Sequence, residues 1–124
     1  MITIDYRSRV PIFDQIVSGI MQLKAMGVLS AGDKLPSVRA LAGELGVNPN
    51  TVQKSYAILE SSGVIYSVAG KGSFISLDDA AMEAIVAAAR AEFLRAVEKA
   101  KAAGLSEKML ADAVKDVFKG GEEL

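Results

Sequence analysis

Ser37-Val-Arg-Ala-Leu-Ala-Gly-Glu-Leu45 runs into Gly46-Val-Asn48 and then into Pro49-Asn-Thr-Val52-Gln-Lys-Ser-Tyr56-Ala-Ile-Leu59. Val38, Leu41, Ala42 and Leu45 recur at helical spacing behind Ser37, a residue type that caps helix starts, and Gly46 is a stop. Asn48 is a second N-cap, Pro49 fits the first helical position, and Val47 and Val52 are placed to form a hydrophobic staple. Val52, Tyr56 and Leu59 then trace the buried stripe of a helix that Gly63 closes. After Gly63 the period changes to that of strands. Val64-Ile-Tyr-Ser-Val68 and Ser73-Phe-Ile-Ser76 flank Ala-Gly-Lys-Gly72, which predicts a β-hairpin. A short helix, a glycine-containing turn, a second helix and a hairpin make a winged helix-turn-helix.

In that architecture the first helix crosses the DNA backbone while the second offers its N-terminal residues to base edges in the major groove. Here those residues are Asn48, Pro49, Asn50, Thr51, Gln53 and Lys54. Amides pair with adenine and hydroxyls with several bases, and the free N–H groups of a helix start favour a phosphate. In the wing, Gly70 and Gly72 allow a tight turn near a sugar-phosphate surface, with Lys71 supplying charge. Singly, each feature has a plain structural explanation. Ser37 and Asn48 cap helices in any protein, Arg39 could be a solvated surface charge, and Gly70-Lys71-Gly72 is a hairpin turn first. Their joint order and spacing favour DNA binding.

Upstream, Ile12, Ile16, Ile20 and Leu23 follow Pro11 at spacings that predict a helix ended by Gly27, and Leu29 to Ser37 reads as a turn. Downstream, composition shifts to alanine. Leu77 and Met82 can staple around an Asp78 cap. A long helix then carries Met82, Ile85, Val86, Ala89, Phe93 and Val97 on one face. Gly104 breaks it, and a second helix lined by Leu110, Ala113, Val114, Val117 and Phe118 is expected to stop at Gly120-Gly121, leaving a frayed Glu-Glu-Leu end. The expected class is mainly α with a small β wing: residues 1–77 form the winged domain and residues 78–124 a two-helix C-terminal dimerisation tail.

The chain has 124 residues, 51% hydrophobic and 23% charged, which suits one small domain with an appendage rather than a disordered chain. With no cysteine and no histidine, thiol nucleophiles, disulfides, histidine triads and the usual zinc or haem ligation are excluded. Asp33, Glu44 and Glu60 are scattered acids, so no enzyme, no metal site and no cofactor is expected. No run of eighteen apolar residues exists, and the first residues lack the pattern of a secretory signal, which predicts a cytoplasmic location. A net charge of −1 and a pI near 5.4 sit poorly with phosphate binding. The imbalance resolves by region. Residues 1–77 carry seven Lys+Arg against five Asp+Glu, a net of +2, and residues 78–124 carry seven against ten, a net of −3.

Pro11-Ile-Phe-Asp-Gln-Ile16, Gly32-Asp-Lys-Leu-Pro-Ser-Val-Arg-Ala-Leu-Ala42, Leu45-Gly-Val-Asn-Pro-Asn-Thr-Val52 and Gly70-Lys-Gly-Ser-Phe-Ile75 resemble the DNA-binding domain of the GntR family of bacterial transcription regulators. The short helical tail is similar to that of its YtrA-like subfamily. The resemblance implies a backbone-anchoring role for Arg39, a base-reading start of the recognition helix at Asn48 to Gln53, and a wing tip at Gly70 to Gly72. Many members carry arginines in the recognition helix where this chain has Pro49 and Gln53, so no relative's operator can be carried over. It further implies a dimeric repressor of an operon for a membrane transporter or an envelope function.

Two helices with apolar stripes need covering by each other and by a partner. A second copy is the simplest, giving a homodimer over a palindromic site through Met82, Ile85, Val86, Ala89, Phe93, Val97, Leu110, Val114, Val117 and Phe118. Folding back on the first helix is the alternative. Two helices leave little room for a metabolite pocket, although a small-molecule effector at the dimer interface is compatible with the sequence. The rival reading from another class is a protein-interaction module, which needs exposed large apolar residues on the recognition helix.

Overall fold

Ile16 and Ile20, one turn apart on α1 (Ile12–Ala25), are buried to 0% and 2% exposure and start the core of the N-terminal unit. The computed structural model describes residues 2–122, so Glu123 and Leu124, and the frayed end expected there, lie outside the described residues. The sequence suits Pro11 to the first turn of α1; the structure makes it the N-cap residue, with no side-chain cap. Proline has no N–H to lose at either place. The helices that follow are α2 (Val38–Leu45) and α3 (Pro49–Ser61), and the wing strands are β1 (Ile65–Val68) and β2 (Gly72–Ile75). Two further helices, α4 (Ala80–Ala102) and α5 (Glu107–Glu122), complete the described chain. The chain divides into two units, one up to Met82 and one from Glu83 onward.

In the first unit α3 packs on α1, α2 and β1. Its inward stripe is Val52, Ser55, Tyr56 and Leu59, all buried, as helical spacing requires. Two hydroxyls in this stripe find backbone partners. Ser55 Oγ lies 2.9 Å from the Phe13 carbonyl and 3.1 Å from that of Thr51, while Tyr56 Oη donates to the Pro36 carbonyl at 2.7 Å. The first ties α3 to the start of α1, and the second ties it to the turn before α2. No buried side-chain polar atom among the described residues is left without a partner.

The hairpin is antiparallel, with Tyr66 opposite Phe74 and Val68 opposite Gly72. The Tyr66 and Phe74 rings stack with centroids 5.5 Å apart, a cross-strand pair that fixes the register. The preceding turn does more than the sequence indicates. Leu35 N–H donates to the Ser73 carbonyl and Ile75 N–H to the Asp33 carbonyl, both at 2.8 Å, so Asp33 to Leu35 add a short third rung to the wing. Leu35 itself is 3% exposed. The pairing involves too few residues to show an alternating pattern.

The join to α4 has an anchor that the sequence does not announce: Lys24 Nζ meets Asp79 Oδ1 at 2.7 Å. The expected Asp78 interaction is present, its carboxylate accepting from Ala80 N–H at 3.0 Å. Leu77, by contrast, is 72% exposed, which is not the position a hydrophobic staple needs. In the second unit Gly104 (φ +97°) ends α4, and Ser106 Oγ accepts from Met109 N–H at the start of α5. That helix continues through Gly120 and Gly121 to Glu122 instead of stopping at the glycine pair. A mid-helix glycine costs only about 1 kcal/mol relative to alanine. Among the described residues the backbones of α4 and α5 stay apart, and it is their side chains, Phe93 and Val97 from one and Leu110 and Val114 from the other, that face each other.

Burial pushes the Tyr56 phenol from its ordinary 10.0 up to about 12. The folded state thus favours the neutral phenol. This contribution to stability is complete below pH 10 and is lost as pH rises towards about 12. Tyr56→Phe should lower stability by about 1 kcal/mol at neutral pH through the lost hydrogen bond. It should also flatten the alkaline limb of the urea midpoint plotted against pH. An alkaline limb unchanged from wild type would refute this assignment.

Candidate nucleic-acid interface

Because Val52, Ser55, Tyr56 and Leu59 face inward, the same helical period turns Asn50, Gln53 and Lys54 outward, and all three are exposed. Asn48 and Pro49 are exposed beside them, whereas Thr51 is half-buried. The helix start is held by Asn48, whose Oδ1 accepts from Asn50 N–H at 2.8 Å, with Pro49 at the first position. On α2, Ser37 Oγ accepts from Ala40 N–H at 3.0 Å, and Arg39 is exposed one residue into the helix. Capping occupies an oxygen of each side chain and leaves the Ser37 hydroxyl proton and the Asn48 amide hydrogens as donors. Donors are what phosphate oxygens require.

Lys54 is engaged within the domain. Its ammonium lies 3.8 Å from the centroid of the Phe13 ring, a cation–π contact worth about 0.5–1 kcal/mol at an exposed site. The recognition helix and the start of α1 therefore share a charged edge. The sequence contains both residues but not their proximity, since they lie on different helices.

At the wing tip Gly70 (φ +74°) and Gly72 (φ +118°) adopt backbone conformations that other residues rarely tolerate, and Lys71 between them is exposed. The structure adds Lys34 to this group. A Cβ at Gly72 would stand 3.1 Å from Lys34 Cε and 3.9 Å from its Nζ, so the lysine stem crosses the glycine and its charge sits beside the wing tip. Among the described residues the ion pairs are Lys24–Asp79 and Lys108–Asp112. Arg7, Arg9, Lys34, Arg39, Lys54 and Lys71 are thus free of carboxylate partners within 4.0 Å. No grouping of three metal-ligating side chains occurs among the described residues.

The tail carries a different kind of surface. Ile85, Val97 and Leu110 are half-buried, Ala89 is exposed, and Val86, Phe93, Val114, Val117 and Phe118 are exposed apolar side chains. Met82, half-buried, falls in the first unit. Phe93, Val97, Leu110 and Val114 line an apolar cleft of about 240 Å³ between α4 and α5. This is below the usual ~300–1,000 Å³ of ligand pockets. The crevice beside Ile20, Leu35 and Tyr56 in the first unit holds only about 40 Å³.

Residues 12–75 match the model of the gntR family of bacterial regulatory proteins. Over 76 residues the chain is 49% identical to the HTH-type transcriptional repressor YtrA of Bacillus subtilis, covering 61% of this chain and 58% of that repressor. The chain thus spans less than two thirds of that relative's length. Among solved structures, a transcriptional antiterminator from Listeria monocytogenes is 34% identical with a TM-score of 0.76, covering 95% of this chain and 90% of that one. The AraR DNA-binding domain in complex with operator ORE1 aligns with a TM-score of 0.53 at 26% identity, covering 61% of this chain and 93% of that one.

The cap geometry yields a test in the absence of DNA. Asn48→Ala should lower stability by about 1 kcal/mol, and Asn48→Asp should retain it, because a carboxylate also accepts at a helix start. Equal losses in thermal unfolding would show that capping is not what the Asn48 oxygen contributes.

Proposed function

The chain belongs to the gntR family of bacterial regulatory proteins, and on that premise we propose that it is a sequence-specific, dimeric transcriptional repressor acting on a palindromic operator. The observation that carries this reading is the α3 surface. A fixed, capped helix start exposes Asn50, Gln53 and Lys54 with no large apolar side chain among them, and the same unit carries further exposed cations without carboxylate partners among the described residues. A docking face for protein would need the apolar groups that this surface lacks.

Residues 1–77 are the DNA-binding domain and residues 78–124 the dimerisation region. Asn50 and Gln53 read bases, with Thr51 contributing at the groove edge. Ser37, Arg39, Asn48 and Lys54 contact the phosphate backbone, and Pro49 presets the helix start. Gly70, Lys71 and Gly72 form the wing tip, with Lys34 as its second cation. The free DNA donors are few, so non-specific affinity is modest and the salt dependence gentle.

A second copy covers the tail. Val86, Phe93, Leu94, Leu105, Met109, Val114, Val117 and Phe118 are between 40% and 74% exposed in one chain, a large apolar surface for two helices. The homodimer positions two winged domains over two half-sites, as the palindrome requires. The name of the Bacillus relative supports repression, and the target that the YtrA-like resemblance implies is an operon for a membrane transporter or an envelope function. Any small-molecule effector belongs at the dimer interface, since the cleft within one tail is small and open. No cofactor takes part. Chromosomal DNA as the partner implies a cytoplasmic location, and none of the described helices is long and apolar enough to cross a membrane.

Selection from random duplexes should return a two-fold symmetric site. Against it, Asn50→Ala or Gln53→Ala should cost ~1–3 kcal/mol with little change on random DNA, whereas Lys71→Ala should weaken both and reduce the salt slope by about one unit. Equal losses on both duplexes for Asn50→Ala and Gln53→Ala would remove their base-reading role. For the interface, Val117→Asp with Phe118→Asp should convert a sedimenting dimer into monomer without loss of helicity. A dimer that survives both substitutions would assign the interface elsewhere.

A further inference from the structure

Asp5 to Val10 form neither helix nor strand, yet both ends of the segment are clamped by one side chain of α1. Gln15 Oε1 accepts from Asp5 N–H at 2.8 Å, and Gln15 Nε2 donates to the carbonyls of Asp5 and Val10 at 2.9 Å each. Inside the loop, Asp5 Oδ1 accepts from Arg7 N–H and Ser8 Oγ accepts from Val10 N–H, both at 3.0 Å. The result is a closed loop that holds exposed Arg7 and Arg9.

Its position follows from three contacts. Tyr6 Oη donates to the Leu45 carbonyl at 3.3 Å, immediately before the Gly46 turn that leads into α3. At the base of the loop, the first turn of α1 carries Phe13, whose carbonyl meets Ser55 and whose ring meets Lys54. The loop is therefore held beside the entry to the recognition helix. Among the described residues neither arginine has a carboxylate partner. Asp5 is half-buried with its carboxylate on the Arg7 amide, and Asp14, on the first turn of α1, makes no ion pair with them.

A solvated arginine is the ordinary outcome for a surface loop. Here, however, both amide hydrogens and the carbonyl oxygen of Gln15 go to fixing the loop, while the α1 start is left without a side-chain cap. Ordering an exposed segment costs conformational entropy, about 1–2 kcal/mol per residue for the backbone alone. Resting on the DNA-binding reading above, we propose that the Asp5–Val10 loop is a third DNA-contacting element, in which Arg7 and Arg9 grip the phosphate backbone flanking the groove that α3 enters. The role is sequence-independent. The arginines neutralise phosphates while α3 reads bases.

The test uses the full chain on the selected duplex and on a random duplex, with affinity followed as a function of salt. Arg7→Gln with Arg9→Gln should weaken binding to both duplexes and lower the salt slope by about two units, with an unchanged urea midpoint. Arg7→Lys with Arg9→Lys keeps the charge and should retain the slope. An unchanged slope in the glutamine variant, with wild-type binding intact, overturns the loop's role and leaves the DNA-binding reading standing. A loss confined to the selected duplex overturns the phosphate assignment in favour of base contacts. Wild-type protein that binds neither duplex removes the reading on which the proposal rests.

Discussion

The burial of one face of α3 governs the rest of the first unit. Val52, Tyr56 and Leu59 stand at 4% exposure or less, and removing one such large side chain from a close-packed core costs roughly 2–5 kcal/mol. That apolar face resists rotation about the helix axis, and two hydroxyls reinforce it. Ser55 reaches the Phe13 carbonyl of α1, and Tyr56 reaches the Pro36 carbonyl before α2. With the inward face fixed, helical geometry turns Asn50, Gln53 and Lys54 outward. Base readout depends on a side chain arriving within hydrogen-bond distance of a base edge, so this rigidity is part of the recognition apparatus.

Most of that frame was legible because it is written in local rules. Ser37 and Asn48 cap the helices they precede, Gly46 adopts φ +69° at the end of α2, and the α3 stripe repeats at helical spacing. What escaped the sequence reading is carried by single polar contacts between distant residues. Gln15 is an unremarked glutamine on an amphipathic helix until Asp5 and Val10 fold back to it. Lys34 is a turn lysine until Asp33 to Leu35 pair with β2 and its stem crosses Gly72. Neither contact imposes a period, and each involves a residue type common on any surface. Gly120 and Gly121 are the opposite case: glycine favours helix ends, but its cost inside a helix is small enough for α5 to continue to Glu122.

The interface residues show the same division. Pattern located the recognition helix and the wing, but the roles of individual groups depend on which hydrogen bonds are already occupied. Ser37 and Asn48 spend oxygen acceptors on capping, which leaves donors for an anionic partner. Lys54 has its charge over Phe13, so a phosphate approaching it meets a cation whose position is biased by an aromatic ring. Thr51 is drawn half inward on the α3 surface and is less open to a ligand than its neighbours at Asn50 and Gln53.

The acidic balance of the whole chain bears on how such a surface can work. Fourteen basic side chains against fifteen acidic ones give the molecule almost no net attraction for a polyanion at long range. Local arrangement has to supply what the sum does not. Six cations of the first unit lack carboxylate partners among the described residues, whereas the acidic excess lies in residues 78–124. A single winged unit with a net of +2 has few phosphate contacts to offer, and linking two of them makes the second binding step intramolecular. In the homodimer proposed above, the apolar tail would supply effective concentration in place of the bulk positive charge that the sequence lacks.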